Sequence, residues 1–162
     1  MKITLKLVAV SAAAVLLTAA SASAQEIRMT ATLSPGEETP APGLLSGAVG
    51  AAEVLVDVAN RELSVTVRVF NLPTASTAGH IHVGPRGIAG PIVLDFPNVP
   101  GRVNDFVLTF RLSQTALRPN PGLGINTMED AIQSIVGGNA YVNIHSTTNP
   151  GGEIRGQLTL AE

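Results

Sequence analysis

The residues Glu62 to Leu72 read ELSVTVRVFNL, with Leu63, Val65, Val67 and Val69 at every second position. That spacing belongs to a strand with one buried face, because successive side chains of an extended chain point to opposite sides. The same alternation marks Glu26 to Leu33, where Ile27, Met29, Ala31 and Leu33 share a side. Ala48 to Val58 is apolar and strand-compatible, and the turn-like Ala59-Asn60-Arg61 joins it to Glu62–Leu72 as a hairpin. Further strands are expected over Ser76 to Val83, Pro91 to Phe96, Asn104 to Leu112 and Asn139 to His145, with Glu153 to Leu160 completing a last hairpin. Between them lie Ser34 to Gly47 with three prolines and three glycines, the glycine-rich Gly84 to Gly90, and the polar turn Ser146 to Gly152. Proline and glycine at that density interrupt regular structure and set the strand ends. One helix is expected over Met128 to Val136, with Thr127 as N-cap, Asp130 closing a capping box and Gly137 stopping it. Seven or eight short strands with a single local helix exclude a parallel α/β fold, in which strands are joined by crossover helices. The expected fold is all-β, an antiparallel β-sandwich of Greek-key or flattened-barrel type with one short helix before the last hairpin.

The first 24 residues follow a different pattern. Lys2 and Lys6 make a basic start, Leu7 to Ala20 an apolar run of 14 residues, and Ala22-Ser23-Ala24 a small-residue cleavage site, the order of a secretory signal. The run is shorter than the roughly 20 residues a helix needs to cross a bilayer. Residues 25–162 are therefore expected to form a single exported domain, periplasmic or secreted, with no membrane span after cleavage. Both lysines lie in the leader, which leaves eight arginines against twelve acidic residues and a net charge near −4. Such a chain lacks the clustered cations that neutralise nucleic-acid phosphates. With no cysteine it also has no thiolate metal site, no cysteine nucleophile and no disulfide.

The chain has three histidines, His80, His82 and His145. His80 and His82 stand two apart on one expected strand, so their imidazoles leave the same face about 7 Å apart. His145 ends the strand before the closing turn and adds a third nitrogen if that strand neighbours the first. Three neutral imidazoles without a thiolate suit copper first and zinc second, whereas magnesium and calcium take oxygen ligands. The plainer reading is that the histidines are structural and the chain is a protein-interaction module of unknown partner. In the closing NIHSTTNPGGEIRGQL, Glu153, Arg155 and Gln157 share a side. Beside the histidines, Glu153 would orient an imidazole and Arg155 would draw in a small anion; away from them, the three form a solvated strand face. Asn143 and Tyr141 alternate with His145 and are expected either to hydrogen-bond near the cluster or to pack. Nucleophilic catalysis finds no GxSxG elbow, and the glycine-rich segment lacks the lysine and helix of a phosphate cradle. Asp95 and Asp105 read as ordinary surface carboxylates.

The loop SPGEETPAP, the segment AGHIHVGPRGIAGPIV and the closing YVNIHSTTNPGGEIRGQL together resemble the chordin-type (CHRD) domain over about residues 27 to 160. The resemblance implies an extracellular or periplasmic β-rich module and leaves its activity open. More distantly, HxH on one strand, a later strand ending in histidine, a glycine-containing turn and an arginine are similar in order to the copper half of copper/zinc superoxide dismutases. By that resemblance His80 and His82 correspond to the HxH copper ligands, His145 to the late copper ligand and Arg155 to the anion-guiding arginine. The bridging histidine, the other zinc ligands and the disulfide cysteines have no counterpart. What the resemblance implies is a copper-only, three-histidine site, with superoxide as the small anion and dismutase-like activity left open.

Overall fold

A computed structural model describes residues 26–40 and 46–162; the leader expected over residues 1–24 lies outside them. The alternating segments form strands β1 (Glu26–Leu33), β2 (Val49–Asp57), β3 (Glu62–Leu72), β4 (Ser76–Val83), β5 (Ile92–Asp95) and β6 (Asn104–Leu112). Helix α1 (Met128–Val136) follows, and then β7 (Ala140–Ser146), β8 (Ile154–Gln157) and β9 (Thr159–Leu160). Two antiparallel sheets result, ordered β6-β3-β2-β1-β9 and β5-β4-β7-β8. The register opposes Met29 to Val54 and Val54 to Val65, so the apolar positions read from the sequence line up across the larger sheet. They meet Ile81, Val142, Ile144 and Ile154 of the smaller sheet in one buried core. This is the expected all-β sandwich, with the helix before the β7–β8 hairpin. Thr127 and Asp130 make the capping box in both directions, and Gly138, rather than Gly137, takes the left-handed turn that ends the helix.

The closing segment departs from expectation. Instead of one strand over Glu153 to Leu160, β8 pairs with β7 in the smaller sheet and β9 pairs with β1 in the larger. Buried Leu158 lies between them and donates its N–H to the Ala140 carbonyl at 2.9 Å. The crossing is possible because β8 lies against the end of β1. Ser34 and Arg155 exchange backbone hydrogen bonds of 3.0 and 3.2 Å, and a Cβ on Gly156 would stand 2.3 Å from the Thr32 carbonyl oxygen. Only glycine allows that approach, and it gives this edge the character of a flattened barrel. Glu153 falls in the turn before β8.

The smaller sheet has an unusual outer face. An antiparallel sheet in a sandwich commonly turns one face to water. Here His80 and His82 on β4, Tyr141, Asn143 and His145 on β7, and Arg155 and Gln157 on β8 are all buried. Three connections cover them: the segment carrying Glu38, the Gly84 to Gly90 loop and the turn from Ser146 to Gly152. The sheet is therefore buried on both sides, apolar inward and polar outward. Among the described residues no helix is long and apolar enough to cross a membrane.

Candidate metal centre

Pairing of β4 with β7 sets His80 opposite Asn143, His82 opposite Tyr141 and Ala78 opposite His145, so all three imidazoles rise from one face. One nitrogen from each ring lies within 4.8 Å of the other two. His80 Nδ1 is 3.0 Å from His145 Nε2.

The partners of the remaining nitrogens decide where the lone pairs point. His82 Nδ1 lies 2.9 Å from the Gly90 carbonyl oxygen and His145 Nδ1 lies 3.0 Å from that of Pro150. A carbonyl can only accept, so both Nδ1 atoms carry hydrogen and both Nε2 atoms present lone pairs. His80 turns Nε2 to Asp95 Oδ1 at 3.4 Å and leaves Nδ1 facing the other rings. A single proton between His80 and His145 can satisfy that contact, but His82 Nε2 is buried with no hydrogen-bond partner. A cation among the three nitrogens satisfies them all, so these residues fit a metal ion by chemistry as well as by distance. Burial pushes the His80 and His82 pKa values down to about 4 and lowers that of His145, which keeps the imidazoles in the neutral, ligating form at pH 7.

Glycine is what brings the Gly90 carbonyl to His82. A Cβ at position 90 would stand 1.8 Å from the Val83 carbonyl oxygen, so no side chain fits. Gly90 N–H donates to the Tyr141 hydroxyl at 2.9 Å, and the hydroxyl donates back to the Gly90 carbonyl at 3.3 Å. Tyr141 stacks on His82, with centroids 4.8 Å apart and planes 13° apart.

Glu153 does not hydrogen-bond to an imidazole. Its carboxylate accepts from Ser146 Oγ at 2.6 Å, from Asn149 Nδ2 at 2.9 Å and from Ser46 Oγ. It thereby closes the turn that presents the Pro150 carbonyl, and bears on His145 only through that turn. Asn143 donates to Glu38 Oε2 at 3.3 Å. Arg155 does not lie on a solvated face: it is 1% exposed, its guanidinium carbon sits 3.4 Å from the Tyr141 ring centroid, and Nη2 donates to the Pro85 carbonyl at 3.1 Å. Its Nη1 has no hydrogen-bond partner. Gln157 donates to the Gly84 and Gly138 carbonyls.

Two carboxylates carry more than their sequence context suggested. Asp95, read as an ordinary surface acid, sits between His80 and Arg118, whose Nε is 2.5 Å from Oδ2. Asp105 does lie at the surface, where it accepts the Asn71 N–H at 2.9 Å. The sequence gives no sign of Glu38, because an acid in an irregular proline-rich loop has no period to place it. It is buried, and desolvation lifts its pKa to about 7 against the opposing pull of Arg155 and Asn143.

The sequence profile of the CHRD domain matches residues 29–158, a span that contains every residue of this polar face. The chain belongs to the CHRD family. CHRD domains occur in extracellular proteins, which fits secretion of this one. Neither a curated protein nor a solved structure matches the CHRD chain. None of these comparisons matches the chain to superoxide dismutases.

Proposed function

We propose that this CHRD domain is an exported metal-binding module, periplasmic or secreted, whose His80 Nδ1, His82 Nε2 and His145 Nε2 hold copper, with zinc as second choice. The observation that carries the reading is the direction of the lone pairs. Two backbone carbonyls and Asp95 engage the outer nitrogens, which turns one nitrogen of each ring toward the other two in a buried site and leaves His82 Nε2 with no hydrogen-bond partner. Ligating histidines are usually fixed in this manner by their second nitrogen. Bound copper would supply one-electron redox chemistry, which suits storage, delivery or the handling of a small oxidant.

Arg155 supports a further element of the same reading. Its buried guanidinium has a free Nη1, and its charge is among the causes that lower the His82 pKa. A fixed positive charge beside neutral ligands favours a small anion such as superoxide.

Elemental analysis of protein taken from its native compartment, followed by titration of the metal-free protein with copper and zinc, tests the proposal. One equivalent of copper should bind, and H82A should abolish it. No uptake by the wild type would return the histidines to a structural role and favour the protein-interaction reading. Azide binding to copper-loaded R155A tests the anion: copper should be retained and azide weakened, less so at high salt. Unchanged azide binding would remove Arg155 from that role.

A further inference from the structure

Tyr141 lies between a buried cation and a proposed copper ligand. Strand order β4-β7-β8 places His82 and Arg155 on opposite sides of β7, the strand that carries Tyr141. The phenol ring stacks on the imidazole at 4.8 Å, and the guanidinium carbon stands 3.4 Å from the same ring's centroid. We propose that Tyr141 is a positioning residue for His82, and that Arg155, held against the ring, makes the site prefer Cu(I) over Cu(II). The inference rests on the copper reading above and adds a redox preference to it.

Three features support it. The first is rigidity. The Tyr141 hydroxyl and His82 Nδ1 both bond to the Gly90 carbonyl, and the hydroxyl also accepts the Gly90 N–H, so ring and imidazole are fixed by one peptide unit. The second is that Arg155 cannot reach water. It is almost fully buried and held by the Pro85 carbonyl and the phenol face, so solvent screens its charge poorly.

The third feature is the sign of the remaining charges. Asp95, the carboxylate at His80, is paired with Arg118 on its other oxygen. Glu38 lies near Arg155, and its burial disfavours the ionised form, so it offsets the guanidinium only in part. Glu153 is buried too, but its carboxylate turns into the closing turn, where it accepts from Ser146 and Asn149, so the charge held directly against the ring that stacks on His82 is the Arg155 guanidinium. The couple is Cu(II) plus one electron giving Cu(I), with no bond made or broken in the protein. A nearby positive charge destabilises the dication more than the monocation.

Measuring Cu(I) and Cu(II) affinities by competition with chromophoric chelators, and the potential by mediated spectroelectrochemistry, separates this effect from simple loss of structure. In R155Q the ratio of Cu(I) to Cu(II) affinity should fall about tenfold, the order expected for a unit charge about 10 Å away at an effective dielectric near 20. That fall is a drop of about 59 mV for one electron. R155K should restore most of the ratio. Y141F keeps the ring and loses the hydroxyl, so both affinities should weaken together with their ratio unchanged. E38Q removes the partial countercharge and should raise the ratio, which keeps the test decisive if R155Q folds poorly. An unchanged ratio in R155Q, or in E38Q where R155Q does not fold, would overturn the inference while leaving copper binding intact. Failure of the wild type to bind copper would instead overturn the reading on which it rests.

Discussion

Replacing Gly90 with alanine tests how the backbone controls the site. The new Cβ would lie 1.8 Å from the Val83 carbonyl oxygen, where ordinary contact begins near 3.4 Å, so the two backbones must separate by about 1.6 Å. Neither can yield by rotating a side chain, because the clash is with main-chain atoms. Three hydrogen bonds depend on the present position: His82 Nδ1 to Gly90 O, Gly90 N to Tyr141 Oη, and Tyr141 Oη to Gly90 O. At about 0.5–1.5 kcal/mol net for each, G90A should lose roughly 2–4 kcal/mol of stability. Losing the group that orients a ligating histidine should also weaken copper about 10- to 100-fold. G87A is the matched control. Gly87 has a positive φ of 77° but nothing within 4 Å of an added Cβ, so it should cost about 1–2 kcal/mol of backbone strain and leave copper binding unchanged. Urea unfolding of the metal-free proteins and chelator competition of the copper forms provide the two numbers. Wild-type stability and copper affinity in G90A would refute the argument that this peptide holds His82.

The remaining predictions follow from other parts of the same layer and from the helix. His80 and His82 titrate near 4 when folded, His145 is also lowered, and all three start from 6.5, so the unfolded chain binds more protons between those values. Metal-free stability should therefore fall as pH drops from about 6.5 toward 4, and a flat urea midpoint over that range would contradict it. Glu38 acts in the opposite sense: raised from 4.5 to about 7, it contributes less stability as pH rises through that window, so E38Q should steepen the acid loss. E153A strips the partner from three donors in the closing turn and should cost roughly 2–4 kcal/mol, with copper binding weakened through the turn that holds Pro150. T127A removes the helix cap, should cost about 1 kcal/mol in urea unfolding, and should leave the copper affinity unchanged.

The strands were legible because each buries one side against a single core, and period two records that directly. Helix α1 was legible through Thr127 and Asp130, whose side chains bond to the backbone of their own first turn. The division of the last strand was hidden. Ile154 and Leu158 continue the inward alternation, but Leu160, which extends it, is 64% exposed on the two-residue edge strand of the other sheet. At the site, HxH and the later histidine announced a shared face, since strand geometry alone dictates it. Their orienting partners did not, because the Gly90 and Pro150 carbonyls are main-chain atoms that no residue type encodes. Polar residues alternating with core residues also look like a wet face, and only tertiary structure reveals that loops cover them. For the same reason Glu153, adjacent in pattern, bonds into the turn, while Asp95 reaches His80 from a neighbouring strand.

X-ray absorption at the copper edge of protein loaded with one equivalent tests the central claim most directly. Three imidazole nitrogens at about 2 Å, with the multiple-scattering signature of the rings, are the predicted result. The signature should diminish by one ring in each single histidine-to-alanine variant that still retains metal. Copper bound through fewer than two imidazoles in the wild type, or a spectrum unaltered by removing His80, His82 or His145, would contradict the account.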